Sequence, residues 1–305
     1  MRVGLVILPQ RRWAEQAGQW RRAEELGFDH LWTYDHLTWD PLAGSQWGAT
    51  VPTLVAAAQV TTRVPIGTWV ASPNFRHPVP FARELAALDD VSAGRAVLGI
   101  GAGGTGHDAG VLGGPALTPG DRAARLEEFV ELLDRLLTGG SPQAAVDHAG
   151  HFYTAVDART GLPSVQRPRL PFVVAANGPR LMRLAVRFGA GWATTGSTPK
   201  DAGDDAWWEG VARLAERFDR TRAEAAAAAD AGSAAPEVRR MLSLDAAPTF
   251  ALVSAGYFTE AVGRAAQLGF TDVVVHWPVP GAPVYDAPES RVEEVAALLP
   301  QLRDL

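Results

Sequence analysis

Val64-Pro-Ile-Gly-Thr-Trp-Val-Ala-Ser72 begins as a buried strand, and Pro73-Asn-Phe-Arg-His-Pro78 cuts it off. Apolar and β-branched residues bounded by turn formers mark a strand covered on both faces, the kind that builds parallel sheets. From Val79 to Val91 the apolar residues return at three- and four-residue spacing, so the strand hands over to a helix. A strand followed closely by an amphipathic helix is half of a βαβ unit, and how often it repeats decides the fold.

It repeats eight times. Short apolar runs at Val3–Leu8, Phe28–Tyr34, Val64–Ser72, Ala96–Gly101, Pro171–Ala176, Gly191–Thr195, Arg240–Asp245 and Thr271–Trp277 are the predicted strands. Each precedes a helical pattern, at Trp13–Leu26, Pro52–Thr61, Val79–Val91, Asp121–Leu137, Arg180–Phe188, Asp205–Ala229, Phe258–Leu268 and Arg291–Leu302. Eight pairs in 305 residues predict a (β/α)8 TIM barrel as one domain over residues 1–305. Its active-site groups then come from loops at the C-terminal ends of the strands; a doubly wound sheet is the alternative. Gly139 to Arg169 is too long for an ordinary connection, so residues 138–170 are expected to be an insertion between the fourth helix and the fifth strand. Asp230-Ala-Gly-Ser233, after the run Ala225–Ala229, reads as the mobile end of a long helix.

The bulk properties exclude several functions. With 47% hydrophobic residues the chain can bury a barrel-sized core. A net charge of -6 argues against nucleic acid or an anionic membrane as partner, because phosphate surfaces need clustered positive charge. A small-molecule substrate is expected instead. Cysteine is absent, which rules out disulfides, zinc-thiolate sites and a cysteine nucleophile, and makes a cytoplasmic location the expectation. Met1-Arg-Val-Gly-Leu-Val-Ile-Leu-Pro9 is too short an apolar run for a signal peptide or membrane span and reads as a first strand. Lys200 is the single lysine among 28 basic residues, so a Schiff-base mechanism would have to use it, and no P-loop motif occurs.

Several stretches carry candidate chemistry. Gly99, Gly101 and Gly104 match G-x-G-x-x-G, but Gly110, Gly113, Gly114, Pro115 and Pro119 postpone the next helix to about Asp121, whereas a dinucleotide site needs it at the glycines. A strand whose backbone closely approaches a flat ligand, or a plain adaptable loop, fits better. Phe172-Val-Val-Ala-Ala-Asn-Gly-Pro-Arg180 is a strand running into a helix start, with Pro179 at the first helical position and Arg180 after it. That pattern suits a phosphate as well as simple capping. Tyr34-Asp35-His36 ends the second strand, where a barrel presents catalytic groups, and a histidine with a nearby carboxylate suits proton transfer. Neighbours on a strand point to opposite faces, so Asp35 and His36 need not touch. His148-x-x-His151 has no third ligand nearby and no metal is expected, while Ser197-Thr-Pro-Lys200 lacks the companion motifs of an S-x-x-K enzyme.

Taken in order, Ala23-Glu-Glu-Leu-Gly-Phe-Asp29, Tyr34-Asp-His-Leu37, Ile66-Gly-Thr-Trp-Val-Ala-Ser-Pro73, Arg76-His-Pro78, Glu84-Leu-Ala-Ala-Leu-Asp89, Ser92-Ala-Gly-Arg-Ala-Val-Leu-Gly-Ile-Gly-Ala-Gly103, Asn177-Gly-Pro-Arg180 and Gly189-Ala-Gly-Trp192 resemble the bacterial luciferase-like monooxygenases and F420- or FMN-dependent oxidoreductases. The resemblance runs over nearly the whole chain and implies a (β/α)8 barrel with the deazaflavin F420 as cofactor, FMN being the alternative. It implies a non-prolyl cis peptide at Trp69-Val70 beneath the ring, Asp35 near the ring, Ala102 and Gly103 against the cofactor, and Asn177, Gly178, Pro179 and Arg180 at its phosphate. His36 falls where acid–base work is placed, with Asp35 beside it. Gly104 stands where sugar-phosphate dehydrogenases of the family carry a glutamate, and Ser197 near where they carry a basic residue, which points away from glucose 6-phosphate. Trp39, Trp47 and Trp69 suggest an apolar or aromatic substrate wall. The expected activity is F420-dependent hydride transfer; FMN-dependent oxygen activation and non-catalytic flavin binding are the alternatives, and a homodimer is the expected assembly.

Overall fold

The computed structural model describes residues 1–139, 144–228 and 237–305. The strands β1 (Arg2–Val6), β2 (His30–Thr33), β3 (Ile66–Thr68), β4 (Ala96–Ile100), β7 (Phe172–Ala175), β8 (Gly191–Thr194), β9 (Arg239–Ser243) and β10 (Asp272–His276) close into a barrel in the order β1-β10-β9-β8-β7-β4-β3-β2. β5 (Val146–Ala149) and β6 (Thr154–Ala158) form a separate antiparallel hairpin. The helices are α1 (Trp13–Glu25), α2 (Thr50–Val60), α3 (Pro78–Val91), α4 (His107–Gly110), α5 (Pro119–Thr138), α6 (Pro179–Phe188), α7 (Asp204–Ala228), α8 (Ala255–Gln267), α9 (Arg291–Ala296) and α10 (Leu299–Leu302). All eight expected barrel strands are present within a few residues of their predicted bounds, and the closed barrel replaces the doubly wound alternative.

The chain contacts group into two compact units. One comprises Met1–Leu8, Gln19–Trp32 and Val173–Leu305. In it β1 pairs in parallel with β10 from Arg2 opposite Asp272 to Val6 opposite His276. Val273, Val274 and Val275 have no exposure, which is the burial that their β-branched run predicts. The other comprises Pro9–Gly18 and Thr33–Phe172. There α5 turns Leu126, Phe129, Val130, Leu132, Leu133, Leu136 and Leu137 inward. Thr118 caps it by accepting a hydrogen bond from the Asp121 amide at 3.1 Å.

Three readings of the sequence change, and one falls outside the described residues. The glycine-rich run is not helix-free, because α4 forms inside it. The last predicted helix is two, α9 and α10, because Pro300 has no N–H to return to the carbonyl of Ala296. The insertion contains a hairpin, β5–β6, and its return segment is pinned by Asp89, which is fully buried and accepts from the amides of Val165 at 2.7 Å and Gln166 at 3.1 Å. Asp230-Ala-Gly-Ser233 and Ala229, the predicted last residue of that helix, lie outside the described residues.

Candidate active site

In the unit of residues 33–172, β3 ends at Thr68 and the next peptide, Trp69-Val70, is cis. The chain then re-enters the barrel edge through a bridge between Ala71 and Ile100, with the Ala71 amide donating to Gly99 O at 2.8 Å. A Cβ on Gly99 would stand 2.1 Å from Thr68 O. The glycine is therefore required by the neighbouring backbone of β3. Gly103, at φ +78°, faces Asn74, whose carboxamide would lie 2.7 Å from a Cβ there. Asn74 is held in turn by Arg125, which donates to its Oδ1 at 2.6 Å.

Asp35 and His36 leave the end of β2 and take different partners. Asp35 is 1% exposed, and Arg76 donates to it twice, from Nε to Oδ2 and from Nη2 to Oδ1, both at 2.6 Å. Burial by itself would lower the Arg76 guanidinium, but Asp35 and Glu84 more than offset this and hold it above its ordinary value. Both carboxylate oxygens of Asp35 are thus engaged by Arg76, and neither is bonded to His36. His36 instead pairs with Asp108 on α4, Nδ1 to Oδ2 at 2.5 Å. The Leu37 amide donates to Oδ1 of the same carboxylate at 2.9 Å. Burial would raise the Asp108 carboxyl, yet the hydrogen bonds from His36 and from the Leu37 and Thr38 amides leave it below the usual carboxylate range.

Around His36 the aromatic residues converge. Trp47 Nε1 donates to His36 O at 2.8 Å. The Tyr34 ring meets the rings of His36 at 5.5 Å, Trp39 at 5.3 Å and Trp47 at 6.5 Å. The His36 side chain keeps 33% of its exposure. Trp39 and Trp47 are half-buried, whereas Trp69 is only 6% exposed. Arg76 and Asp108 are the residues the sequence reading missed as partners.

In the other unit, α6 opens at Pro179 with Gly178 as its cap, which makes no side-chain cap bond. Asn177 is fixed by the exit of β8: its Nδ2 donates to Gly196 O at 2.8 Å and its Oδ1 accepts from Thr194 at 2.6 Å. Arg217 donates to Asn177 O at 3.1 Å. Arg180 is exposed on the first turn of α6. A second His–Asp pair lies at the ends of β9 and β10, where His276 Nδ1 is 2.8 Å from Asp245 Oδ2. His276 is buried and stacked on Tyr285 at 3.9 Å. The predicted strand ends at Asp245 and Trp277 already placed both residues on the rim, a signal that the sequence reading left unused. His148 Nε2 bonds Glu128 at 3.0 Å, and among the described residues no three His, Asp or Glu side chains gather as metal ligands.

Residues 1–239 match the family described as luciferase-like monooxygenase. An F420-dependent glucose-6-phosphate dehydrogenase of Beutenbergia cavernae is 35% identical over 205 residues, 66% of this chain and 58% of that enzyme. A 4-hydroxyprotoasukamycin monooxygenase of Streptomyces nodosus subsp. asukaensis is 33% identical over 206 residues, 65% of this chain and 52% of that enzyme. The chain thus spans less than two thirds of the length of the curated relatives it matches. Among solved structures, an F420-dependent secondary alcohol dehydrogenase in complex with an F420-acetone adduct superposes with a TM-score of 0.78 at 18% identity, over 99% of both chains. At that identity the likeness is one of fold. No helix among the described residues is long and apolar enough to cross a membrane.

Proposed function

The chain belongs to the luciferase-like monooxygenase family, and from that premise we propose that it is an oxidoreductase using F420 to move a hydride to or from a small organic substrate. Relatives named as F420-dependent enzymes support this cofactor; the monooxygenase among them leaves FMN with oxygen activation as the second reading. The residues fit such a group. α6 begins at Gly178 without a side-chain cap, and the N-terminus of a helix attracts anions. A Cβ built on Gly178 would meet nothing within 4 Å, so there is open space at that helix start. In this reading Asn177, Gly178, Pro179 and Arg180 hold the phosphate, and Asp35, Trp69, Val70, Ala102 and Gly103 belong to the ring side, Asp35 by fixing Arg76.

Bound there, the deazaflavin supplies the hydride donor or acceptor. The protein supplies orientation and a proton. His36 carries the reading: it is partly exposed, its Nδ1 is engaged by Asp108, and Nε2 is the nitrogen left to exchange a proton with a substrate oxygen. Tyr34, Trp39 and Trp47 beside it suit an apolar or aromatic substrate. Gly104 and Ser197 supply neither a carboxylate nor a cation for a sugar phosphate, so the substrate in this reading is not that of the dehydrogenase relatives. A homodimer and a cytoplasmic location complete the proposal; sedimentation of the purified protein tests the first.

Fluorescence titration with F420 and FMN separately, on the protein and on Arg180→Ala, tests the cofactor. F420 is expected to bind more tightly, and Arg180→Ala to weaken it by about 1–3 kcal/mol for a lost charge-assisted hydrogen bond. Tighter FMN binding moves the protein to the oxygenase reading. His36→Asn is expected to lower single-turnover hydride transfer by roughly 10²–10⁴-fold while cofactor binding persists. An unchanged rate removes His36 from the mechanism, and no turnover with any alcohol, aldehyde or aromatic acceptor favours a binding protein.

A further inference from the structure

We propose that Asp108 is the positioning residue of His36, fixing the imidazole in the tautomer that carries its proton on Nδ1 and presents a bare Nε2. The proposal rests on the acid–base role given to His36 above. Asp108 is 5% exposed, and its two oxygens have separate duties. Oδ1 accepts the Leu37 amide at 2.9 Å, which keeps the carboxylate from rotating, and Oδ2 faces His36 Nδ1 at 2.5 Å. An ionised carboxylate has acceptors only, so the nitrogen opposite it must bring the hydrogen. A neutral imidazole has a single N–H; with that hydrogen on Nδ1, Nε2 is free to accept a proton. The backbone of His36 is anchored independently, since Trp47 donates to its carbonyl at 2.8 Å. Ring and chain are therefore each held by residues far away in sequence, 72 positions for Asp108 and 11 for Trp47.

Asp108→Asn is a sharp probe because the site itself dictates how asparagine sits. The Leu37 amide needs an acceptor, so the carboxamide oxygen takes the Oδ1 place and its NH2 falls opposite His36 Nδ1. That amide then donates, Nδ1 becomes the acceptor, and the ring hydrogen moves to Nε2. The nitrogen meant to take a proton is already occupied.

The experiment uses the full-length protein with 15N-labelled histidine, the His36 signals being identified among the seven histidines by their loss in His36→Asn. Expected are Nδ1–H for His36 in the wild type and Nε2–H in Asp108→Asn. Cofactor affinity should stay within about twofold and single-turnover hydride transfer fall by on the order of 10²–10⁴-fold. A wild-type His36 protonated on Nε2 overturns the proposal. So does an Asp108→Asn protein that reacts within about twofold of the wild-type rate. If Asp108→Asn does not fold, the wild-type spectrum decides alone. If His36→Asn keeps its rate, the acid–base reading falls while the two tautomer spectra still decide what Asp108 does.

Discussion

Asp35 is a charged side chain almost wholly out of water, and Arg76 is what makes that tolerable. Two parallel hydrogen bonds between a guanidinium and a carboxylate match in geometry and charge. Removing one partner leaves the other buried and uncompensated. Arg76→Leu is therefore expected to cost about 3–5 kcal/mol, read by urea denaturation, and the double variant Asp35→Asn with Arg76→Leu to recover part of it; a loss near zero for Arg76→Leu contradicts the pairing. Gly99→Ala tests the crowded exit of β3 in the same way, since its new methyl meets a backbone oxygen that cannot swing aside, with an expected cost of about 1–3 kcal/mol. At this scale the sequence showed which residues stand at the strand end but not whom they meet. Asp35 and His36 are neighbours on the chain, yet their partners are 41 and 72 positions away, and no local pattern encodes that distance.

The hairpin β5–β6 depends on one acid of α5. Glu128 accepts from the amides of His151, Phe152 and Tyr153 at 3.1, 2.9 and 2.8 Å and from His148 at 3.0 Å. Burial would raise the Glu128 carboxyl, but these donors hold it below its ordinary value. Glu128→Gln replaces one acceptor oxygen by an NH2 that faces donors, so a loss of about 2 kcal/mol is expected. The amides of residues 151–153 should also lose hydrogen-exchange protection, and unchanged protection would show that the hairpin is held by other contacts. The hairpin was not legible in the sequence because its strands lack the pattern that signals one: in β6 only Ala155 and Ala158 are buried, and Val156 is 80% exposed. The barrel elements were legible because burial on both faces imposes unbroken apolar runs, as in β10, where every residue is buried. The break between α9 and α10 was legible too, at Pro300, but the three-residue period of its apolar side chains masked it.

Stability against acid belongs to the whole molecule. Asp108, Glu128 and Asp272 each sit in surroundings where burial would raise the carboxyl and hydrogen-bonded partners, foremost His36, His148 and His30, bring it below the usual range. Each then binds a proton less readily folded than unfolded. Its stabilisation is complete above the unfolded value near 4 and is lost as pH falls through the lower folded value. The urea midpoint should accordingly fall as pH drops below about 4, and in Glu128→Gln fall less steeply; a midpoint that rises on acidification would show that these carboxylates are not paired as described.

What the sequence by itself determined is the architecture and the family. Eight strand–helix alternations follow from periodicity, a physical consequence of which faces must be buried, and the family follows from motifs spread along the chain. What only the tertiary structure decided is the pairing inside the candidate site. The sequence set Asp35 and His36 side by side and left their partners open; the fold gives Asp35 to Arg76 and His36 to Asp108, and it sets Gly99 against the backbone of β3. The reason is that hydrophobic patterning is local and repeats, whereas a hydrogen bond between two side chains depends on the angle and distance at which separate elements meet, and those are set only once the barrel has closed.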